Sequence, residues 1–575
     1  MTPPAPEQIT ETPPGTVGTT TVKPSATKAM SQPEEQPQLQ QDAVVAELER
    51  LLSSVVPLAL EYVADCRRED QLVVEYHPPA ELESLMDLAL EADGCGPDGI
   101  TETIKEALKY SVRCWNPRFM DKLYATTNPI GVVTELVMGV LNANSHVYHV
   151  SPAFTIIEIA VVRALGGFIG FPEDMRGGLC TPSGSMSNLL AVITARNAHF
   201  PEIKRNGFWD YATTAVTANG HPPQKPVMFT SEQSHYSFDK SAFVSGIGLD
   251  NVLSVPCDEY GRMIPAKLRE MIQASRARGE RPFFVNATAG TTVLGAFDPL
   301  REIGQIAREE GLWFHVDGSW GGPMIFSSDR RHLLDGAELA DSFTINPHKM
   351  LGVPVMCSFL LSRDRAMFNR HNALHADYLF HDGANPYDLG DGTLGCGRRP
   401  ESVKMFMAWK YYGTNGLTKH VDLLRTHALF LDSQIRIRSP RLLKVLDIEP
   451  ELLNVCFWYV PASLRHIAAS SISTNSNGTQ PLQFDDESWV KGVEAATKQI
   501  HGIIRKSGKF MFDYAPLHGK QNVPPFFRLI THQPALTEKD LIALLDEIER
   551  VGADLDAKGA FHVSGNSSQP NGCAC

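Results

Sequence analysis

Asp317 and Lys349 are the two residues whose placement first suggests chemistry. Each follows an apolar run that reads as a β-strand: Leu312–Asp317 runs into Gly318-Ser319-Trp320-Gly321-Gly322, and Asp341–Ile345 into Asn346-Pro347-His348-Lys349-Met350. Active-site residues on open α/β sheets lie beyond the carboxyl ends of the strands. A lysine there, flanked by Met350, Leu351 and Val353, loses part of its hydration. Its amine is then neutral more of the time and can form a Schiff base with an aldehyde. The plain alternatives are a solvated turn aspartate and a lysine whose apolar stem lies on the surface.

Other strand ends add polar groups. Thr181-Pro182-Ser183-Gly184-Ser185 opens a helical stretch, Met186 to His199, whose first N–H groups could receive a phosphate; an ordinary serine cap fits the same residues. His235 follows the run Pro226–Thr230 and could stack on an aromatic ring, or be a satisfied polar residue. Asn286-Ala287-Thr288-Ala289-Gly290-Thr291-Thr292 places hydroxyls at one more strand end. Together these supply a phosphate cup, a stacking imidazole, a hydroxyl, an acid for a pyridinium nitrogen and a Schiff-base lysine. That set meets the requirement for holding pyridoxal 5'-phosphate.

The elements that must position these groups alternate. Short β-rich runs, Pro226–Thr230, Pro282–Asn286, Leu312–Asp317, Asp341–Ile345 and Val355–Leu361, are separated by stretches of helical period such as Ile264–Arg278 and Leu300–Glu310. This predicts an α/β fold with a mostly parallel sheet covered on both faces. We divide the chain into a polar tail (1–43), a helical N-terminal segment (44–155), a large cofactor-binding domain (156–420), a small α+β domain (421–557) and a second tail (558–575). In the small domain we expect strands at Leu453–Val460 and Phe526–Ile530, with a Ser/Asn/Thr-rich loop at 468–480.

Composition bounds the function. The 575 residues carry 52 Lys plus Arg against 66 Asp plus Glu, a formal charge of −14, which argues against a nucleic-acid-coating role. Hydrophobic residues at 43% allow a large core. Ten cysteines without a CxxC pair do not form a zinc or disulfide framework, so no metal is expected. We read no stretch as reaching the roughly 20 apolar residues of a spanning helix. The expectation is a cytoplasmic protein with neither membrane nor nucleic-acid partners. Cys573-Ala574-Cys575 is read as an exposed tail.

The chain resembles the group II pyridoxal-phosphate decarboxylases, in the branch of glutamate and cysteine sulfinate decarboxylases. The similar segments are Asn116-Pro117-Arg118-Phe119, Ser231–Ser237, Asn286–Pro299, His315–Gly322, Asn346–Met350, Cys396-Gly397-Arg398, Asn454–Pro461 and Phe526-Phe527-Arg528. The resemblance implies fold type I, the aspartate aminotransferase-like architecture, and a homodimer with shared active sites. It implies that Lys349 binds the cofactor, Asp317 pairs with the pyridine nitrogen and His235 stacks on the ring. Gly184, Ser185 and Asn346 would hold phosphate, with Thr292 and His348 beside the cofactor. Tyr378 matches the loop tyrosine that returns a proton to Cα, and Arg528 the arginine that binds the α-carboxylate.

Departures from the glutamate decarboxylase pattern bear on the substrate. Lys122 and Tyr124 stand where that pattern has Gln and Ser; Asn144 is kept, and His146 replaces Phe. Two cationic donors favour an acidic amino-acid substrate: aspartate, cysteine sulfinate or glutamate, with Tyr124 tilting toward the shorter pair. The alternatives are decarboxylation of an aromatic or other non-acidic amino acid, transamination on the same scaffold, and a cofactor-free interaction protein.

Overall fold

The computed structural model describes residues 36–124, 126–214, 220, 222–380, 385–466, 484, 486–519 and 522–561. A two-residue strand, β1 (Phe119–Met120), is followed by seven strands: β2 (Gly177–Thr181), β3 (Pro226–Ser231), β4 (Val252–Val255), β5 (Arg281–Thr288), β6 (Trp313–Gly318), β7 (Ser342–Ile345) and β8 (Ser358–Ser362). These seven form one sheet in the order β2-β8-β7-β6-β5-β3-β4. All neighbours are parallel except those of β8, which runs against both β2 and β7.

Strands β3, β6, β7 and β8 are buried along their whole length. A sheet covered on both faces needs apolar residues on each side of the pleat. Val227 and Phe229 accordingly face one core, and Met228, between them, faces the other. The helices Gly184–His199 and Ser237–Val244 cover the Met228 side through Leu190, Ala195, Phe238 and Ala242. Pro152–Ile169, Pro265–Ala277 and Leu300–Glu309 cover the opposite side. Each fully buried phenylalanine in these cores contributes roughly 1.5–3 kcal/mol.

The second sheet contains β9 (Leu442–Lys444), β10 (Asn454–Tyr459), β11 (Met511–Ala515) and β12 (Phe526–Ile530), in the order β1-β11-β12-β10-β9. Its first member comes from the N-terminal segment, because Phe119 and Met120 pair in parallel with Met511 and Phe512. The helices Glu487–Ser507 and Glu538–Ala557 pack on it.

Several boundaries differ from the sequence reading. The first helix, Gln36–Cys66, starts inside the stretch read as tail. The boundary placed at 420/421 falls within the helical segment Ser402–Ile437, whose kink is at Gly413 with φ +65°. Met405 and Val421 of that segment enter the large core while Ala428 and Ile435 enter the small one, so it belongs to both. The run from Val355 becomes strand only at Ser358. Helix Pro152–Ile169, with a mean hydropathy of 1.7 over 18 residues, is long and apolar enough to cross a membrane, contrary to the sequence reading. Here it packs on the large sheet, and its Glu158 pairs with Arg398 at 2.9 Å in the interior. The loop at 468–480 and the tail cysteines lie outside the described residues.

Candidate active site

The carboxyl ends of β2, β3, β5, β6 and β7 open on a cavity of about 200 Å³. Lys349 lines it, one turn into the short helix Pro347–Met350 that follows β7. Burial pushes its ammonium below the ordinary lysine range, although the Asp317 carboxylate opposes that shift. A greater share of neutral amine follows, as nucleophilic attack on an aldehyde requires.

Asp317 lies at the end of β6 and is 4% exposed. Burial works against its charge, but the hydrogen bond from Ser319 and the nearby Lys349 hold the carboxyl below its usual range. Its Oδ1 accepts the Ser319 N–H at 3.0 Å, and its Oδ2 accepts an Asn188 Nδ2 hydrogen at 2.9 Å. His235 lines the same cavity; its Nδ1 accepts the Ser237 N–H at 3.2 Å, and burial holds its pKa down. His348 is pushed down to about 4 by burial, and its Nδ1 stands 2.6 Å from the Cys357 carbonyl oxygen.

At the other end of the cavity, helix Gly184–His199 starts with its N-terminus toward the opening. Ser183 caps it by accepting the Met186 N–H at 3.3 Å. A Cβ on Gly184 would stand 2.5 Å from Asn346 Nδ2 and 2.6 Å from Ser319 Oγ, so the turn can hold these donors close only as glycine. Gly184, Ser185 and Asn346 all line the cavity, and Asn346 Oδ1 is occupied by the Ser358 hydroxyl at 2.6 Å. A helix N-terminus with amide and hydroxyl donors at one end and a lysine–aspartate pair at the other fits pyridoxal phosphate.

Thr292 also lines the cavity, and its carbonyl accepts from Arg528 NH1 at 3.2 Å. Arg528, on β12, is buried and does not itself line the cavity; its Nη2 pairs with Asp513 Oδ2 at 3.1 Å, and its Nε has no partner among the described residues.

The proposed substrate residues are more dispersed. Lys122 is not an unpaired cation: its Nζ is 2.6 Å from Asp513 Oδ2 and 3.4 Å from Asp121 Oδ1, and its side chain is 57% exposed. The expectation that Lys122 offers a free cationic donor to an acidic substrate is therefore corrected. The pairing of β1 with β11 delivers Asp513 to Lys122 across most of the chain. Tyr124 packs against Phe119, ring centroids 5.2 Å apart. Asn144 and His146 sit by the segment 390–398, where Asn144 Oδ1 accepts the Arg398 N–H at 2.9 Å. Tyr378 is 79% exposed. Within one chain Lys122, Tyr124, Asn144, His146 and Tyr378 do not line the Lys349 cavity.

Asn188, which lines the cavity, and His315, behind Asp317, were given no role in the sequence reading. Asn188 lies one helical turn beyond Gly184, and His315 precedes Asp317 by two on β6, hence on the same face. That two-residue spacing was the available signal.

The profile described as the pyridoxal-dependent decarboxylase conserved domain matches residues 79–460. The chain is 44% identical over 471 residues to an L-aspartate decarboxylase of Metarhizium robertsii, covering 81% of this chain and 86% of that one. It is 37% identical over 490 residues to the human acidic amino acid decarboxylase GADL1, covering 84% and 87%. A crystal structure of mouse CSAD superposes with a TM-score of 0.78 at 34% identity, over 89% of this chain and 98% of that one. The chain belongs to the pyridoxal-dependent decarboxylase family. It is a fold type I carboxy-lyase whose cofactor is pyridoxal 5'-phosphate.

Proposed function

We propose that this enzyme removes the α-carboxylate of an acidic L-amino acid (aspartate, cysteine sulfinate or glutamate) as carbon dioxide and releases the amine. The enclosed Lys349 amine, set between Asp317 and the Gly184 turn, carries the reading of the site. The similarity to the L-aspartate and acidic amino acid decarboxylases supports the substrate class.

Bound pyridoxal phosphate supplies an electron sink for the pair left when the Cα–carboxylate bond breaks. In our reading Lys349 holds its aldehyde, and the amides of Gly184 and Ser185 with the Asn346 side chain hold its phosphate. Asp317 would accept a hydrogen bond from the ring nitrogen and keep that nitrogen protonated. His235 would cover the ring face, and Thr292 and His348 would border it. Arg528, with an unused Nε and a contact to Thr292, binds the substrate α-carboxylate through charge-assisted hydrogen bonds. Tyr378 returns a proton to Cα.

We also read the active form as a cytoplasmic homodimer in which Tyr378, Asn144 and His146 serve the neighbouring site. Helix Pro129–Leu141 exposes Val132, Val133, Leu136, Val137, Val140 and Leu141, an apolar face suited to a second copy. The eight described cysteines are free thiols, which suits a reducing compartment.

The test is carbon dioxide release from aspartate, cysteine sulfinate, glutamate, tyrosine, tryptophan and ornithine by the purified holoenzyme. The three acids should be turned over in preference. Higher kcat/KM for tyrosine, tryptophan or ornithine than for all three acids would overturn the substrate assignment.

A further inference from the structure

Behind Asp317 runs a buried line of polar side chains to which no role has yet been given. Trp313 Nε1 donates to Ser342 Oγ at 2.9 Å, and Ser342 Oγ lies 2.8 Å from His315 Nδ1. His315 Nε2 is 3.1 Å from Asn188 Oδ1, which also accepts the Thr344 hydroxyl at 3.0 Å. Asn188 Nδ2 then donates to Asp317 Oδ2 at 2.9 Å and to Ser237 Oγ at 3.0 Å. Every side chain in this line is buried.

The direction of the line follows from what each group can do. An indole N–H only donates, so Ser342 Oγ accepts from Trp313 and its own hydrogen is free for His315 Nδ1. A neutral imidazole that accepts at Nδ1 carries its hydrogen on Nε2 and gives it to Asn188 Oδ1. With Oδ1 taking two donors, both Nδ2 hydrogens point at Ser237 and Asp317. The reverse arrangement would put the hydrogen on Nδ1 and turn the Asn188 amide over. Asn188 Oδ1 would then face Asp317 Oδ2 at 2.9 Å, two acceptors in contact unless Asp317 were protonated. The ionised carboxylate breaks the tie.

We propose that Trp313, Ser342, His315 and Asn188 are positioning residues, a one-way hydrogen-bond chain that holds Asp317 ionised and aimed into the cavity. This rests on the reading that Asp317 serves the cofactor's ring nitrogen. The chain couples two observables: the His315 tautomer and the charge on Asp317. Burial pushes His315 down to about 4, so it stays neutral through the physiological range.

The first test uses cofactor-free protein labelled with ¹⁵N-histidine, the His315 signals being identified by their loss in His315→Gln. The expected tautomer between pH 6 and 8 carries hydrogen on Nε2. A hydrogen on Nδ1, or an imidazolium, overturns the proposal. The second test compares loaded variants. Asn188→Asp preserves shape but sets a carboxylate oxygen against Asp317; kcat should fall about 10- to 100-fold, the worth of a charged hydrogen bond, with KM changed much less. Ser342→Ala should leave cofactor content intact and the hydrogen on Nε2, because the ionised Asp317 sets the direction through Asn188; a hydrogen on Nδ1 in that variant overturns the proposal. Asn188→Asp with full cofactor and wild-type kcat overturns the chain. Asp317→Ala separates the two levels: normal turnover there refutes the role of Asp317 itself, whereas loss there with a normal Asn188→Asp refutes only the chain.

Discussion

Tyr378 and Lys122 show what single residues do and do not reveal. Tyr378, 79% exposed, sits in the sequence just before a Gly-containing polar stretch, 381–384, which lies outside the described residues. Such exposure suits the proposed role of proton donor to a substrate in a neighbouring copy. Tyr378→Phe should keep its cofactor and lose at least about 100-fold in amine formation, the scale of a lost proton donor. Measured by amine product against cofactor absorbance, unchanged product formation would remove Tyr378 from the reaction. Lys122 teaches the converse. Its charge was legible in the sequence but its partners were not, because Asp513 reaches it only through the pairing of β1 with β11. Lys349, Asp317 and His235 were legible for a local reason: each follows an apolar strand at its carboxyl end, where the chain must leave the sheet.

At the scale of elements, runs rich in β-branched and aromatic residues were readable. Pro226–Ser231, Arg281–Thr288, Trp313–Gly318 and Ser342–Ile345 all fall within a residue or two of expectation. Strand β2, Gly177-Gly178-Leu179-Cys180-Thr181, was not read, because two glycines disguise it; Gly178 is needed there since a Cβ would meet the Leu360 carbonyl at 2.7 Å. The helix that β2 feeds gives a direct test of the phosphate turn. Gly184→Ala should weaken pyridoxal phosphate binding by roughly ten- to a hundredfold, corresponding to about 1–3 kcal/mol of overpacking against Asn346 and Ser319. Titration of the cofactor-free variant measures it, and wild-type affinity would show that phosphate is held elsewhere.

For the whole molecule, acid sensitivity follows from buried neutral histidines. Burial pushes His315, His348 and His532 down to about 4, against an ordinary value near 6.5. Between those values the unfolded chain takes up protons that the folded chain refuses, so stability falls as pH drops from 6.5 to 4. Each histidine contributes at most about 1.4 kcal/mol per pH unit. Asp298 acts in the opposite sense: burial raises it to about 7, so its stability contribution grows on acidification from 7 toward 4. Three histidines outweigh one acid, and Tm should decline between pH 6.5 and 4.5; a flat or rising Tm would contradict this. The apolar face of helix Pro129–Leu141 makes a second prediction at this scale. Val133→Asp combined with Leu136→Asp should yield monomers in sedimentation and lose activity in parallel. A fully active monomer would contradict shared active sites.

Lys349 as the seat of the cofactor is tested most directly by borohydride reduction of the holoenzyme followed by peptide mapping. The visible band should disappear and the reduced cofactor should be found on Lys349, while Lys349→Ala should take no label and show no decarboxylation. A label on another lysine, or normal turnover by Lys349→Ala, would contradict the account.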